Sequence, residues 1–501
     1  MLCRSSRPHC ARIAAAASVF FVAALPALAD SAGPILTPRP GHAVIYRIPC
    51  TGTRPIEFSV DALPASLKLD PKTGIITGRA PEKSGEYALT FHASNSHGKA
   101  TKHWKLVVGD TLALTPPMGW NDWYTHYDRV TDTLLRQAAD AMIGSGMADY
   151  GYQYVNVDDC WMVKPGAKDP EIGGEPRDAA GAIRPNRRFP DMTALTAYIH
   201  TRGLKAGLYT SPGPKTCAGF TGSLQHEEAD ARKFAEWGFD FLKYDWCSYR
   251  PASGGKTVAD YRHPYELMGA ILPKLDRDIV FNLCQYGMGD VWNWGGDVGG
   301  HCWRTTGDLG LEKDTRLPGF YSIAFKNAAH PEAARPGRWN DPDYILIGSV
   351  GDAHHIDAPP KPTSLTLDEQ YSYMSLWSLM AAPLIYSGDM NHLDELTLNV
   401  LCNAEVIDVD QDPLGKQARI IRHTDGEFVL AKPLEDGSVA IGLFNLGDAP
   451  AMISVTWADL GLKGEQRVRD LWRQKDTGVV HGPYSATVNR HGVMLVRLMK
   501  P

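Results

Sequence analysis

Three successive patterns of apolar and polar residues divide the chain. In residues 31–110, short runs alternate apolar and polar positions, among them AVIYRI, EYALTFHAS and HWKLVVGD, and turn-forming stretches such as DPKTG separate them. Because successive side chains of a β-strand point to opposite faces, this alternation predicts strands that are buried on one face only. We expect residues 31–110 to form a small antiparallel β-sandwich.

The pattern changes in residues 111–409, where continuous apolar runs alternate with helical stretches such as TDTLLRQAADAMIGSGM, LQHEEADARKFAEWG and PYELMGAILPKLD. Eight apolar runs each end in polar residues: PPMGWNDW, YQYVNVDDCW, LKAGLYTSP, FDFLKYDWC, DIVFNLCQYG, HCWRTTGD, RWNDPDYILIG and APLIYSGD. Eight strand–helix units predict a (β/α)8 TIM barrel, whose site lies at the carboxyl ends of the strands. An open doubly wound sheet is the alternative, but the dinucleotide or phosphate fingerprint that it would need is missing.

Residues 410–501 return to short alternating strands, including GEFVLAKPL, SVAIGLFNLG, AMISVTW and VMLVRLM. Turn residues separate these runs, so the segment predicts a second antiparallel β-sandwich. The predicted fold class is therefore α/β, a (β/α)8 barrel flanked by an N-terminal and a C-terminal β-sandwich. The candidate chemistry lies in the barrel.

The N-terminus reads as a targeting segment. Three arginines precede an uncharged stretch, residues 13–29, that closes on an A-x-A pattern. This predicts a secretory signal peptide over residues 1–29 and a secreted or periplasmic protein. A membrane anchor is the alternative, but the run is short for a bilayer span and contains Pro26.

Composition removes several function classes. The chain has 57 acidic and 51 basic residues with no long block of one sign, a net charge of -6, so neither a nucleic acid nor an anionic membrane is an expected partner. Seven of the 9 cysteines follow the predicted signal peptide, and their wide spacing contains no C-x-x-C pattern. The chain also lacks an H-E-x-x-H motif, a nucleophile elbow and a phosphate loop. We therefore predict neither a metal nor a cofactor.

Two strand ends carry the candidate chemistry. In FDFLKYDWC, Lys243, Asp245 and Cys247 occupy alternate positions and so point to one face of the strand. The ammonium group favours the ionised form of Asp245, as a nucleophile requires, although a structural ion pair is the alternative. In WRTTGD, Asp308 accompanies Arg304 two strands further along the barrel. Two carboxylates across one barrel opening are what hydrolysis of a glycosidic bond requires.

Two further strand ends carry residues suited to binding a sugar. Asp158 and Asp159 are adjacent acids in VNVDDCW, where their oxygens can accept hydrogen bonds from sugar hydroxyls. A metal site and a helix N-cap are the alternatives for this pair. Trp120, in PPMGWNDW, is a candidate platform for the apolar face of a pyranose ring.

At this point the residues resemble a known family. The segments MGWNDW, NVDDCW, GLYTSPGPKTCAGF, FLKYDWC, WRTTGD, RWNDPD and VIDVDQDPLGKQ are similar, in order, to the motifs of the α-galactosidase (melibiase) family 27 of glycoside hydrolases and of related α-N-acetylgalactosaminidases. Residues 31–110 resemble the immunoglobulin-like modules that precede many exported bacterial enzymes. The resemblance implies a retaining enzyme with Asp245 as nucleophile and Asp308 as acid/base.

The resemblance also implies how the sugar is held. It assigns the 4- and 6-hydroxyls to Asp158 and Asp159, the 3-hydroxyl to Lys243, the 2-position to Arg304, the pocket wall to Trp120, and a place near the nucleophile to Asp343. It further implies a disulfide between Cys217 and Cys247 beside the nucleophile. An oxidising compartment makes such a bridge feasible.

The chain departs from the family pattern after the fifth run. The family commonly has Leu-Cys-Glu-Trp where this chain has LCQY followed by the Gly- and Trp-rich stretch GMGDVWNWGGDVGG. Gln285 in this loop is expected to face the 2-position of the sugar and the leaving group, where its amide suits either a hydroxyl or an acetamido group. A second bridge between Cys284 and Cys302 is left open.

We therefore expect an exported retaining exo-glycosidase that removes terminal α-D-galactose from oligosaccharides or from polysaccharide side chains. Within the family, a β-L-arabinopyranosidase or an α-N-acetylgalactosaminidase is the alternative, and an α-glucan is a further substrate class. A non-catalytic carbohydrate-binding protein is the alternative from another class, and its signature would be loss of Asp245 or Asp308, both of which are present. After signal cleavage we expect no membrane contact, and the sequence leaves the oligomeric state open.

Overall fold

The computed structural model describes residues 35–250, 254, 256–310, 316–351 and 358–501, together with the backbone of residues 27 and 28. That dipeptide forms β1 (Ala27–Leu28), which pairs antiparallel with β3 (Cys50–Thr51). The rest of the predicted signal peptide, residues 1–29, lies outside the described residues. Over the described ranges, none of the helices combines the length and apolar character that crossing a bilayer requires.

The N-terminal unit is a β-sandwich of two antiparallel three-stranded sheets, which confirms the predicted sandwich. One sheet has the order β2–β6–β5 and the other β4–β7–β8. The strands are β2 (Ala43–Arg47), β4 (Glu57–Asp61), β5 (Leu67–Asp70), β6 (Ile75–Arg79), β7 (Gly85–Asn95) and β8 (Gly98–Val108). Alternate residues of these strands face each other and form the core, among them Tyr46, Ile76, Phe91 and Leu106.

The central unit is a barrel of eight parallel strands. The strands are β9 (Met118–Asn121), β10 (Tyr154–Asn156), β11 (Lys205–Thr210), β12 (Phe241–Asp245), β13 (Val280–Cys284), β14 (Cys302–Arg304), β15 (Trp339–Asp341) and β18 (Leu384–Tyr386). They lie in chain order, β18 pairs with β9, and a parallel bridge from Ile345 to Tyr386 joins the other end of the sheet to β18. Each of the eight predicted apolar runs forms one strand, so the predicted TIM barrel is confirmed. A short antiparallel pair, β16 (Ser349–Val350) and β17 (Lys361–Pro362), lies between β15 and β18.

Helices connect most of the barrel strands. They are α1 (Trp123–His126), α2 (Asp132–Gly144), α3 (Met192–His200), α4 (Glu227–Trp237), α5 (Val258–Ile271), α6 (Gly319–Ala328), α7 (Leu367–Leu379), α8 (Glu395–Leu401) and α9 (Ala404–Asp410). The connection after β13 instead contains two 3₁₀ turns, Val291–Asn293 and Gly295–Val298. This segment is rich in glycine, which disfavours an α-helix, so the fifth strand–helix unit departs from the predicted repeat.

The C-terminal unit is a second antiparallel β-sandwich, as predicted. A six-stranded sheet of order β19–β20–β21–β26–β23–β24 packs against the pair β22–β25. Its elements are β19 (Arg419–His423), β20 (Glu427–Pro433), β21 (Val439–Asn445), β22 (Ala451–Val455), α10 (Trp457–Leu460), β23 (Gln466–Asp470), β24 (Lys475–Val480), β25 (Tyr484–Val488) and β26 (Val493–Met499).

Helix α7 joins the barrel to the C-terminal sandwich. A capping box between Thr366 and Glu369 begins the helix, and the helix is buried along most of its length because β20, β21 and β26 cover it. A carboxylate oxygen of Glu369 lies 2.9 Å from Nδ1 of His491, and both side chains are fully buried. Polar contacts therefore fix the C-terminal sandwich to the outer face of the barrel.

Candidate active site

Asp245 ends β12 and is almost completely buried at the carboxyl end of the barrel. The hydroxyl of Tyr286 donates a 2.6 Å hydrogen bond to Oδ1, and the hydroxyl of Tyr209 donates a 3.1 Å bond to Oδ2. Burial raises the pKa of Asp245 to about 6, while the ammonium of Lys243 and the bond from Tyr286 oppose that rise. Two phenols thus orient a carboxylate that is ionised at neutral pH.

Lys243 lies two residues before Asp245 on the same face of β12, and its Nζ donates a 2.8 Å hydrogen bond to Oδ2 of Asp158. Asn121 and Tyr344 donate to that same oxygen at 2.8 and 3.2 Å. Burial opposes the charged form of Lys243, but Asp158 and Tyr344 raise the pKa of the ammonium well above its usual value. The result is a fixed charge pair at the barrel mouth, with donors and acceptors that a sugar hydroxyl can use.

Asp159 is also buried, and its two oxygens are used separately. Oδ1 accepts from the backbone N–H of Cys160 at 2.7 Å, and Oδ2 accepts from the backbone N–H of Ala218 at 2.9 Å. Burial raises the pKa of Asp159 to about 7, against these hydrogen bonds. The next α-helix along the chain begins at Met192, so this pair of acids does not cap a helix. Asp159 instead ties the end of β10 to the loop that follows β11.

Arg304 ends β14 and links two acids. Its guanidinium lies 3.0 Å from Oδ2 of the buried Asp343 and 3.2 Å from Oδ1 of Asp308. The side chain of Arg304 is 3% exposed, whereas that of Asp308 is 60% exposed. Asp308 is therefore the acid of this cluster that solvent can reach.

Asp343 is the buried acid of the same cluster and lies beneath Arg304. Its Oδ2 accepts hydrogen bonds from the hydroxyl of Tyr124 at 2.7 Å and from the backbone N–H of Leu309 at 2.8 Å. Its backbone has a φ of 90°, a left-handed conformation that a residue other than glycine adopts at an energetic cost. Because the N–H of Leu309 directly follows Asp308, Asp343 holds the chain that carries the exposed acid.

A disulfide joins Cys217 to Cys247, with their Cα atoms 5.1 Å apart, as the family resemblance implied. It connects the loop after β11 to the end of β12. The sulfur of Cys217 lies 3.7 Å from Oδ2 of Asp245, and the sulfur of Cys247 lies 3.6 Å from the hydroxyl of Tyr209. The bridge therefore fixes the loop directly beside the buried carboxylate.

The two clusters share one opening. Asp245, Lys243 and Asp158 form one group, and Arg304, Asp308 and Asp343 form the other. The charges of Asp308 and of Asp158 both raise the pKa of Asp245, so the groups are close enough to interact electrostatically. The predicted site residues at these six positions are thus brought together at the carboxyl ends of the barrel strands.

Trp120 lies elsewhere than predicted. It is 0% exposed, and its indole N–H donates to the carbonyl oxygen of Gly388 at 2.8 Å. The adjacent Asn121 points into the barrel, where it bonds Asp158, so strand alternation turns Trp120 to the outer side of the sheet. The half-buried Trp123, whose ring centroid is 6.0 Å from Nζ of Lys243, is the tryptophan near the charge pair.

Gln285 also differs from the prediction. It is 0% exposed, and its side-chain amide donates to the carbonyl oxygen of Met288 at 2.9 Å. Cys284 points into the barrel, where its sulfur accepts a 3.7 Å contact from Arg304, so the next side chain turns outward. Gln285 supports its own loop, and Tyr286 is the residue of this segment that reaches the site.

Cys284 and Cys302 remain free thiols, so the second bridge that the sequence left open is not formed. Cys302 pairs in register with Asn282, two residues before Cys284 on the neighbouring strand. Strands about 4.8 Å apart and a two-residue offset separate the two Cα atoms by about 8 Å, which is too far for a disulfide.

The tyrosines of the site were not predicted. Tyr209 and Tyr286 donate to Asp245, Tyr124 donates to Asp343, and Tyr344 donates to Asp158. Strand register would have identified Tyr209, because it lies opposite Lys243 on the neighbouring strand and faces the same side. The other three lie in connections or short helices, where the sequence carries no periodicity that reports side-chain direction.

Three known domain families match the three units of the structure. Residues 115–412 match the family described as Alpha galactosidase A, residues 425–498 match the Alpha galactosidase C-terminal beta sandwich domain, and residues 30–109 match an immunoglobulin-like domain family. Together with these matches, the (β/α)8 barrel and the two acidic clusters at its mouth show the class of the protein, a glycoside hydrolase. Within that class, the chain belongs to the α-galactosidase (melibiase) family.

Individual relatives extend over most of the chain. Alpha-galactosidase 2 of Arabidopsis thaliana is 37% identical over 401 residues, which is 79% of this chain and 92% of that relative. A crystal structure of a Bacteroides fragilis protein, provisionally assigned as an α-galactosidase/melibiase, has a TM-score of 0.86 and 35% identity and covers 95% of this chain and 98% of its own. The α-galactosidase of Saccharomyces cerevisiae, solved with raffinose, has a TM-score of 0.66 and 26% identity, with 77% of this chain and 98% of its own covered.

Proposed function

We propose that the protein is an exported α-galactosidase that removes terminal α-D-galactose from oligosaccharides or polysaccharide side chains with retention of configuration. The observation that carries the proposal is Asp245, a buried carboxylate oriented by Tyr209 and Tyr286 and coupled electrostatically to the exposed Asp308. Membership of the α-galactosidase family and the relative solved with raffinose support galactose as the sugar. The arginine-led apolar N-terminus supports export.

In this proposal Asp245 attacks the anomeric carbon and forms a covalent glycosyl-enzyme intermediate, while Asp308 protonates the departing glycosidic oxygen. Asp308 then removes a proton from the incoming water, which attacks the same carbon and releases galactose and the free Asp245 carboxylate. The burial and the two phenol hydrogen bonds support Asp245 as nucleophile, and the 60% exposure of Asp308 supports its contact with leaving group and water. No metal or cofactor enters either step.

The remaining acids and cations hold the sugar. We assign the 4-hydroxyl to Asp158, the 3-hydroxyl to Lys243, the 6-hydroxyl to Asp159 and the 2-hydroxyl to Arg304. The short Lys243–Asp158 contact supports shared recognition of neighbouring hydroxyls, because the pair offers both a charged donor and a charged acceptor. Asp343 lies beneath these residues, where it orients the guanidinium of Arg304 and the backbone after Asp308.

The test compares hydrolysis of the p-nitrophenyl glycosides of α-D-galactose, α-N-acetylgalactosamine and β-L-arabinopyranose. We expect turnover of the galactoside, loss of that turnover in Asp245→Asn, and wild-type turnover in the control Asp61→Asn, an exposed aspartate of the N-terminal sandwich. Proton NMR during the reaction should detect α-galactose first, as retention requires. Absence of turnover with all three glycosides, or β-galactose as first product, would contradict the proposal. Preferential turnover of one of the other glycosides would reassign the substrate within the family.

A further inference from the structure

We propose that the N-terminal sandwich stabilises the folded protein by packing on the end of the barrel at which the strands begin, and that it is not a sugar-binding module. The sandwich packs on what we call the barrel floor, the loops around residues 149, 202–203 and 276–278 that precede β10, β11 and β13. The carboxylates of the candidate active site lie at the opposite end of the barrel, where the strands end. In barrels of this kind the floor carries stability and the opposite end carries chemistry.

Arg39 is the centre of the contact. Its backbone N–H and its Nε donate to the two oxygens of Asp278 at 3.0 and 2.6 Å. Its terminal nitrogens donate to the carbonyl oxygens of Pro273 at 2.5 Å, of Arg277 at 2.5 Å and of Leu275 at 3.3 Å. The side chain is 11% exposed. One arginine of the sandwich therefore bonds three carbonyl groups in the connection between α5 and β13.

The contact continues beneath the strand that carries Asp245. Arg277, whose carbonyl Arg39 binds, donates from its own guanidinium to Oδ1 of Asp240 at 2.6 Å. The other carboxylate oxygen of Asp240 accepts from the backbone N–H of Ala206 at 2.9 Å, and the backbone carbonyl oxygen of Asp240 accepts from the N–H of Val280 at 2.9 Å, at the starts of β11 and β13. Although burial opposes its ionisation, Arg277 and His200 hold the pKa of Asp240 at about 2. A charged network thus links the sandwich to the starts of three adjacent strands.

Shape complementarity adds to these polar contacts. Gly203 of the floor has a φ of 73°, and a Cβ atom there would lie 2.9 Å from Cγ1 of Ile75 and 3.0 Å from Cβ of Arg47, both in the sandwich. The two surfaces therefore approach to a distance that only glycine allows. Arg54 donates to Asp149 at 2.5 Å at another edge of the interface.

The sandwich offers little to a glycan. Within residues 35–110, each of the five Phe, Trp and Tyr residues is buried or half-buried, and Tyr87, the half-buried one, bonds the carbonyl oxygen of Lys83. Sugar rings stack on exposed aromatic faces, and none of these five side chains is exposed. The observations therefore favour a stabilising role of the sandwich over a sugar-binding role.

The experiment compares thermal unfolding of Arg39→Ala with that of Arg79→Ala in the full-length mature protein. Arg79 is the matched control, because it bridges to Asp276 across the same interface, but both side chains are more than half exposed. We expect Arg39→Ala to lower Tm by about 5 °C or more and Arg79→Ala to leave it within about 1 °C. We expect kcat/KM at 25 °C to be unchanged in both variants, because neither residue is near the site. A Tm for Arg39→Ala equal to that of Arg79→Ala would overturn the proposal.

Two further measurements keep the test decisive. Should Arg39→Ala not accumulate as soluble protein, Arg39→Lys retains the charge but not the planar fork, and we expect a smaller loss of Tm in the same direction. Retention of the wild-type protein on insoluble galactomannan is measured with and without excess free galactose. Retention that persists in excess galactose would assign a sugar-binding role to a surface outside the barrel pocket and would also overturn the proposal. The Tm comparison does not depend on the enzymatic activity, so its outcome stands apart from that of the proposed function.

Discussion

The hydroxyl of Tyr286 donates a 2.6 Å hydrogen bond to Oδ1 of Asp245. This bond lowers the pKa of Asp245 against the larger opposing effect of burial, which brings the net value to about 6. The loop that carries Tyr286 follows β13 and is the segment in which the sequence departs from the family pattern. The ionisation of the proposed nucleophile therefore depends on a residue that distinguishes this chain.

The first prediction concerns the pH profile. Below its pKa, Asp245 is protonated and cannot attack, so kcat/KM should fall as the pH decreases through about 6. Removing the hydroxyl in Tyr286→Phe withdraws a bond that favours the carboxylate. The acid limb should then move to higher pH by about one unit. The control is Tyr198→Phe, which removes a surface hydroxyl bonded to Asp140 and should leave the profile in place. An acid limb that stays fixed in Tyr286→Phe would show that this bond does not control the ionisation.

The second prediction concerns Asp308 as the acid. Asp308→Ala should reduce kcat/KM by about 10²- to 10⁴-fold for galactosides with poor leaving groups, because those need a proton at the departing oxygen. Galactosides with acidic phenols as leaving groups should lose much less. Asp297→Ala removes an exposed aspartate paired with Arg338 and serves as control. The measurement is kcat/KM against the pKa of the leaving group, and an equal loss for all substrates would argue against the assignment.

The third prediction concerns the buried pair of Lys243 and Asp158. Lys243→Met leaves the carboxylate of Asp158 buried without its cation, which should lower the free energy of unfolding by about 3–5 kcal/mol. It should also raise the pKa of Asp245, since the ammonium lowers it, and so shift the acid limb upward. Lys233→Met, which removes a more exposed pair with Glu236, is the matched control. Urea unfolding at pH 7 distinguishes the two, and equal stability of both variants would contradict the prediction.

The fourth prediction concerns the disulfide. Cys217 and Cys247 are 30 residues apart, so their bridge should stabilise the folded chain by about 3–4 kcal/mol through the loss of unfolded-state entropy. The double variant Cys217→Ser/Cys247→Ser should unfold at lower temperature and lose activity, because the loop contacts Asp245. Replacing the free Cys402 by serine controls for the loss of thiols. Full activity of the double variant would mean that the loop keeps its position without the bridge.

The fold was predictable because the sequence pattern reports it repeatedly. Each of the eight apolar runs became one parallel strand, since buried parallel strands need continuous apolar sequence. The polar residues that end those runs, such as Asp158, Asp245 and Arg304, came together because all strand ends meet at one side of the barrel. The exception is the fifth connection, whose glycines replace a helix by two 3₁₀ turns.

The wrong predictions for Trp120 and Gln285 have the same physical cause. Trp120 and Gln285 each lie one position from a residue that does point into the barrel, Asn121 and Tyr286 respectively. A shift of one residue reverses the face of a strand, so correct identification of a motif does not fix which of its side chains reaches the site. Tyr124 and Tyr344 were missed because they approach from connections, whose side-chain directions depend on tertiary packing.

The bond between Asp159 and the backbone of Ala218 constrains how this enzyme can be altered. Ala218 directly follows Cys217, so the carboxylate proposed to select the sugar's exocyclic hydroxymethyl group also anchors the disulfide loop. A substitution of Asp159 that removes the partner of the hydroxymethyl group, which a pentose lacks, therefore also removes the bond that holds Ala218 near Asp245. We expect that redirecting the enzyme toward pentosides requires a second, compensating change in the loop over residues 215–221. The reason is that Asp159 is proposed to select the sugar and also holds this loop in position.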